Sequence, residues 1–159
     1  MPNELIILRL IANIESYIND LKQVENITFE EFETNIIKQR FIERTLHIII
    51  ESIIDIVHHI ISDLHLREPN SYSDAFNVLF ENQLISEKTR NSGKLMSQFR
   101  NRLVQYYEKN DPEVVYGILI NHQIDFLVFI EDEADKVSIL LVQSSRLNHL
   151  LWWIVPIPL

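Results

Sequence analysis

Apolar residues recur every three or four positions over most of this sequence, which is the pattern of amphipathic helices. From about Asn3 to Val24 the other face is polar, so this stretch predicts a first helix with one buried face. That face is made of Ile7, Leu10, Ile11, Ile14, Tyr17, Ile18, Leu21 and Val24.

A second helix is predicted to begin in the sequence ITFEEF, where Thr28 and Glu31 have the spacing of a capping box. The apolar periodicity then continues without proline or glycine until Pro69. This stretch is longer than an ordinary helix of roughly 8 to 20 residues. It predicts either one long helix or a helix that bends near Lys38 to Arg40.

The segment REPNSYSDAF has the composition of a loop, and Ser71 or Ser73 at its end is expected to cap a short helix reaching about Asn82. Ser86 is expected to cap the next main helix, which covers about residues 87–108. The inward stripe predicted for that helix consists of Leu95, Met96, Phe99, Leu103 and Tyr106.

A last helix is predicted after the sequence KNDPEV, because Asp111 is a good cap and Pro112 suits the first helical position. Its apolar side is expected to comprise Val115, Ile118, Leu119, His122, Phe126, Phe129 and Ile130.

The composition supports an all-α fold. A chain of 159 residues fits one domain, and its two glycines and five prolines are too few for the tight turns of an antiparallel sheet. We therefore expect an up-and-down bundle of four to five main helices over residues 1–134.

The C-terminal stretch, residues 135–159, differs from the rest because it becomes almost wholly apolar from Leu147. That run is shorter than the roughly 20 residues of a membrane-spanning helix, and Pro156 and Pro158 interrupt it. It does not predict a membrane span. We expect another surface to cover Trp152 and its neighbours, either the domain itself or a second chain, unless the extension is not native.

The charge distribution singles out one helix. The net charge of −9 argues against general attraction to nucleic acid, yet Ser86 to Lys109 carry six cations and two carboxylates, a local balance of 6 − 2 = +4. The chain has no cysteine, which excludes disulfides and thiolate sites and fits a reducing interior. We expect a cytoplasmic protein, since the charged residues of the first helix do not suit a signal peptide.

Four separated segments give the chain its resemblance to a known family. The order FIERTLHIIIESIIDIVHHII, PNSYSDAF, FRNRLVQYY and DPEVV resembles the HepT-like branch of the HEPN superfamily, the toxin half of toxin–antitoxin pairs. The resemblance implies a homodimeric helical bundle that acts as an endoribonuclease without metal or cofactor. It also implies RNA as substrate and a minimal nucleotidyltransferase as antitoxin partner.

The family signature is an arginine, usually followed by asparagine, then four intervening residues, a histidine, and a tyrosine two positions later. Arg100 takes the arginine position, Asn101 follows it, and Tyr107 takes the tyrosine position. Gln105 stands where the histidine belongs. The cations Lys94 and Arg102 on the same helix are candidate RNA contacts.

The chemistry explains why this departure matters. Cleavage of RNA by its own 2′-hydroxyl needs an acid, a base and a cation for the growing phosphate charge, and arginine and histidine suit these roles. Gln105 can orient a phosphate, but it has no usable proton equilibrium. Three explanations are open: a natural inactive variant, a substitution made because the active toxin harms its host, or another proton donor.

Asp55 and His59 are the candidates for another proton donor, because they lie one helical turn apart. A structural ion pair is the alternative for these two residues. Together with Glu51 they have a spacing that could hold a metal, but one nitrogen ligand without a fourth ligand does not predict a metal site.

Tyr107 has a separate expected role, because in the family the antitoxin transfers AMP to the signature tyrosine. The added negative charge would repel RNA phosphate, and this mechanism does not need the histidine. The alternative is a tyrosine packed at a dimer interface. Two functions follow: a ribonuclease toxin, or a non-catalytic module that binds a nucleotidyltransferase.

Overall fold

The computed structural model describes residues 2–105 and 111–120, without the side chains of residues 2–4 and Gln105. All the elements within these ranges are helices, so the predicted all-α class is confirmed. They are α1 (Pro2–Lys22), α2 (Phe29–Thr34), α3 (Ile36–Asp63), α4 (Tyr72–Glu81), α5 (Glu87–Gln105) and α6 (residues 112–120).

Helix α3 is the centre of the fold, because α1, α2, α4 and α5 all pack against it. Most of the apolar stripe predicted for the first helix is buried, and α1 packs against α3; Ile14 and Leu21 are completely inaccessible. Of the helices described, α3 is long and apolar enough to cross a membrane by length and composition, but most of that stretch is buried inside the protein, as in a core helix. Burial of the two apolar faces against each other is the main stabilising term for this pair.

The long helical segment after Thr28 is divided at Asn35, so the predicted bend near Lys38 to Arg40 is wrong by a few residues. Asn35 is extended, and its side chain accepts a hydrogen bond of 3.0 Å from the backbone N–H of Lys38. It thereby ends α2 and caps α3, a dual role that asparagine can fill because its short side chain competes for backbone donors. The capping box of Thr28 and Glu31 is confirmed.

The loop between α3 and α4 ends at Ser71, whose hydroxyl accepts the N–H of Asp74 at 3.0 Å. Ser86 caps α5 in the same way by accepting the N–H of Thr89 at 3.1 Å. Both predicted caps are confirmed. They set where α4 and α5 begin and therefore which side chains face α3.

Helices α4 and α5 approach each other closely at Gly93, where a Cβ atom would overlap the ring of Phe76. This contact centres the buried face of α5 on Gly93, Met96 and Phe99. Leu95 is 55% exposed, so its predicted place in the inward stripe is wrong. The physical reason is that α5 turns its smallest residue toward α4, which rotates Leu95 outward.

Helix α6 begins where the sequence predicted, with the Asp111 carboxylate accepting the N–H of Glu113 at 3.0 Å. Val115 and Leu119 are buried, and the hydroxyl of Tyr116 donates to the carbonyl of Ile27 at 3.0 Å. The predicted continuation of this helix beyond residue 120, the boundary at residue 134 and the C-terminal extension lie outside the described residues.

Candidate functional site

The guanidinium of Arg100 points from α5 toward α3 and not into solvent. Its Nε donates a hydrogen bond of 2.6 Å to Oε1 of Glu51. The side chains are 20% and 34% exposed, so this ion pair is partly shielded from solvent. A charge-assisted hydrogen bond of this length is among the stronger polar contacts in proteins.

Tyr72, the first residue of α4, supplies a second contact. The guanidinium carbon of Arg100 lies 4.7 Å from the centroid of the Tyr72 ring, which is within the range of a cation–π interaction. His58 of α3 meets the same ring edge-on, with centroids 6.0 Å apart. Arg100 is therefore held by α3 and α4 together.

His47 completes the group that we call the Arg100 cluster: Arg100, Glu51, His47 and Tyr72. Nε2 of His47 lies 3.1 Å from the same Oε1 atom that accepts from Arg100. Burial alone would raise the pKa of Glu51, but the hydrogen bonds and charges of Arg100 and His47 outweigh it and hold this pKa below its ordinary value. Glu51 therefore stays ionised beside Arg100.

The loop that precedes Tyr72 is fastened by Arg67. Its guanidinium donates to Asp74 at 2.8 and 3.0 Å and to Glu81 at 2.9 and 3.0 Å. These bonds hold the pKa of Asp74 well below its usual range and also lower that of Glu81. The backbone N–H of Asn70 donates to Asp74 as well, at 2.9 Å.

The other described residues that the sequence predicted on this helix also belong to α5. Asn101 and Arg102 are exposed, and Lys94 is half-buried. Gln105 is the last described residue of α5, five positions after Arg100. Tyr107, the predicted modification site, lies outside the described residues.

Asp55 and His59, the candidates for another proton donor, share α3 with Glu51. They form no hydrogen bond with each other. Asp55 is exposed, yet partial loss of water and the nearby charge of Glu51 raise its pKa, while His59 and His58 act in the opposite direction. Over the residues that the structure describes, no three His, Asp or Glu side chains form a group suited to a metal ion.

Sequence reasoning missed two members of the cluster as partners of Arg100. It treats Glu51 only as a possible metal ligand and Tyr72 only as part of a capped loop. The α3 spacing of His47, Glu51 and Asp55 at four residues is a signal for one polar stripe. Which member of that stripe meets Arg100 depends on how α5 packs against α3.

The arrangement has a clear chemical capacity. Glu51 takes the Nε side of Arg100, and no hydrogen bond within residues 5–104 or 111–120 uses the two terminal amino groups. Those groups are the donors available to a ligand, and a guanidinium binds the two oxygens of a phosphate or carboxylate in a bidentate manner. The cluster is therefore a candidate anion site with a fixed orientation.

The sequence of this chain matches the model of a known protein family. The family model described as "Ribonuclease HepT-like" matches residues 14–133. The chain therefore belongs to the HepT-like ribonuclease family, which confirms the resemblance inferred from the four sequence segments.

Two relatives carry named activities of their own. The tRNA nuclease HepT of Aphanizomenon flos-aquae is 29% identical over 132 residues, covering 77% of this chain and 90% of the relative. The mRNA nuclease HepT of Shewanella oneidensis is 30% identical over 126 residues, covering 79% of this chain and 94% of the relative.

Solved structures give the same result. A toxin–antitoxin complex with AMP-PNP contains a chain that matches at a TM-score of 0.75 and 28% identity, over 82% of this chain and 98% of that one. The tri-AMPylated Shewanella oneidensis HEPN toxin in complex with MNT antitoxin matches at a TM-score of 0.74 and 29% identity. The match covers 82% of this chain and 97% of that one. Bacillus subtilis YutE, described as a cytosolic protein, shares the fold at a TM-score of 0.72 and 22% identity. The match covers 86% of this chain and 89% of that one.

Proposed function

We propose that this protein is a HepT-like toxin that cleaves RNA without a metal ion, with Arg100 as the residue that binds the scissile phosphate. The observation that carries the proposal is the Arg100–Glu51 hydrogen bond of 2.6 Å, which uses Nε, while no hydrogen bond to another described residue uses the terminal amino groups of the arginine. Stabilising charge on phosphate oxygens by an oriented cation is a large part of such catalysis. The nuclease names of two relatives support RNA as the substrate.

The neighbouring residues take supporting roles in this proposal. Asn101 and Gln105 orient the phosphate, while Lys94 and Arg102 attract the RNA backbone from the same helix. Two copies of α5 meeting in a cytoplasmic homodimer would bring two such arginines into one cleft. Asp55 and His59 are the reserve proton-transfer pair if the chain is active as it stands.

Gln105 favours a second candidate function, a non-catalytic module that keeps the fold and the complex with a nucleotidyltransferase. Removal of general acid–base catalysis typically lowers a rate by about 10² to 10⁴. A chain with glutamine at this position can therefore bind RNA or a partner while cleaving slowly or not at all.

The test compares RNA cleavage by the parent protein, Gln105→His, and Gln105→His combined with Arg100→Lys. We expect the Gln105→His variant to cleave faster than the parent by about 10² or more, and the added loss of Arg100 to abolish the gain. Arg90→Lys in the same background is the matched control, because Arg90 lies on α5 over Phe80, away from the cluster. Absence of cleavage by every variant, with intact folding, would support the interaction module.

We further propose that a nucleotidyltransferase antitoxin transfers AMP to Tyr107. The tyrosine oxygen would bond to the α-phosphorus of ATP, pyrophosphate would leave, and the hydroxyl proton would be released. Support comes from the AMPylated state of the Shewanella oneidensis toxin in its complex with MNT antitoxin. The added charge two residues after Gln105 would oppose RNA binding at Arg100.

Mass spectrometry after incubation with such a transferase and ATP tests this proposal. Tyr107→Phe should lose the first added AMP, whereas Tyr106→Phe, which removes the adjacent hydroxyl, should keep it. Equal modification of the parent and Tyr107→Phe would contradict the assignment.

A further inference from the structure

The guanidinium of Arg100 contacts the ring of Tyr72 as well as the carboxylate of Glu51. The guanidinium carbon lies 4.7 Å from the ring centroid, and the Arg100 side chain is only 20% exposed. A cation–π contact is stronger where water is excluded than at an exposed surface. Glu51 fixes the Nε edge and the ring fixes one face, so the two contacts together define the plane of the guanidinium.

The Tyr72 ring has a second ring as neighbour, and its backbone lies at the start of α4. His58 packs against it at an interplanar angle of 84°, so the edge of one ring meets the other. Tyr72 follows the cap residue Ser71 directly, and its backbone position is therefore set by the start of α4. A side chain at the first helical position moves when the preceding loop moves.

Arg67 joins the loop before Tyr72 to both ends of α4. Asp74 is in the first turn of α4 and Glu81 is its last residue, and Arg67 donates two hydrogen bonds to each of them. Asp74 also accepts the backbone N–H of Asn70. The loop cannot leave α4 without breaking this network.

We propose that Tyr72 is a positioning residue that holds Arg100 in its anion-binding orientation, and that the Arg67 network fixes Tyr72 for this task. The terminal amino groups of Arg100 then receive the ligand. The part that concerns RNA rests on the proposed function, whereas the part that concerns the orientation of Arg100 does not.

The first measurement is the NMR signal of the Arg100 Nε–H group, assigned by its loss in Arg100→Lys. In the parent protein and in Tyr72→Phe, which keeps the ring, we expect a dispersed signal that exchanges slowly with water. In Tyr72→Leu, which removes the ring, exchange should be at least several-fold faster. Tyr17→Leu on α1 is the matched control, because Tyr17 is half-buried against the core and α1 lies against α3.

The second measurement is the affinity for single-stranded RNA in the same four proteins. Tyr72→Leu should bind about tenfold more weakly, which corresponds to the ~1.4 kcal/mol of a partly desolvated cation–π contact. Tyr72→Phe and Tyr17→Leu should bind as the parent does. A merely structural role would lower the melting temperature of both leucine variants without separating their RNA affinities.

The outcomes are distinguishable. Parent-like exchange of the Nε–H group in Tyr72→Leu overturns the proposal. Exchange that is equally fast in Tyr72→Phe and Tyr72→Leu also overturns it, because the effect would then belong to the hydroxyl. Faster exchange in Tyr72→Leu without RNA binding by any protein would uphold the positioning role and reject the RNA function. Should Tyr72→Leu not fold, Arg67→Met decides the matter: faster Nε–H exchange supports the proposal, and unchanged exchange overturns it.

Discussion

Arg100 and Glu51, 49 positions apart in the sequence, are joined by a hydrogen bond of 2.6 Å between Nε and Oε1. A double-mutant cycle with Arg100→Met and Glu51→Leu should give a coupling free energy of about 1 kcal/mol, because the pair is partly shielded from solvent. Chemical denaturation of the four proteins measures this energy. The stability losses of the two single variants should add up to more than the loss of the double variant, because each single variant leaves one charge without its partner.

The matched control for this cycle is the pair Arg40 and Glu43, which are 3.1 Å apart on a single helix, with Arg40 60% exposed. Its coupling should stay below about 0.5 kcal/mol. Equal coupling in the two pairs would show that the Arg100 contact has no special contribution.

The pH dependence of stability should depend on Glu51. Its pKa is lower in the folded protein than its ordinary value of 4.5, so its ionised form contributes stability above that value. This contribution is lost as the pH falls through the folded pKa. The stability difference between the parent and Glu51→Gln should therefore be largest near neutral pH and should shrink in acid, as measured by urea unfolding across the pH range.

Asp55 provides a control of opposite sign on the same helix. Partial desolvation and the charge of Glu51 raise its pKa, so its ionisation destabilises the fold, and this cost appears as the pH rises through the folded pKa. Asp55→Asn should be more stable than the parent at neutral pH and should lose that advantage in acid. Parallel pH profiles for the two variants would contradict the assignment of charges in this stripe.

The contact between α4 and α5 should not tolerate a larger residue at Gly93. A Cβ atom there would overlap the Phe76 ring, so Gly93→Ala should lower the free energy of unfolding by about 2 to 3 kcal/mol. Gly117→Ala is the control, because no atom of the described residues lies within 4 Å of the Cβ that it would add. That variant should gain about 0.5 to 1 kcal/mol from helix propensity, so a loss at both sites would be inconsistent with the packing described.

Two helix ends contain residues in the left-handed region, and glycine should improve both. His65 has a φ of 52° after α3, and Gln83 has a φ of 59° after α4. Glycine adopts this conformation without a Cβ penalty, so each replacement should stabilise the protein by up to about 1 kcal/mol. Thermal unfolding of His65→Gly and Gln83→Gly measures the gain, and alanine at the same positions should give none.

Local signals in the sequence predicted the helices and most of their caps. Thr28, Ser71, Ser86 and Asp111 all act at the predicted positions, because a cap forms from residues within one turn. The division at Asn35 was missed, since the apolar periodicity continues through it and only the backbone conformation shows that the asparagine interrupts the helix.

The candidate site was predicted only in part. The resemblance to the HepT-like family directs attention to Arg100, but not to the residues that hold it. The sequence favours Asp55 over Glu51, although both lie on the same polar stripe, because a spacing of four does not say which turn of α3 meets α5. Tyr72 has no signal of its own, since a tyrosine after a cap is compatible with any packing.

The sequence by itself determined the all-α class, the apolar face of α1 and the concentration of cations between Ser86 and Lys109, because periodicity, turn residues and charge are properties of neighbouring positions. Tertiary structure alone decided that Arg100 meets Glu51 and Tyr72 and that Leu95 faces outward. These relationships depend on the rotation of α5 against α3 and α4, which the close contact at Gly93 sets. Such a rotation results from packing between distant segments, and no local pattern encodes it.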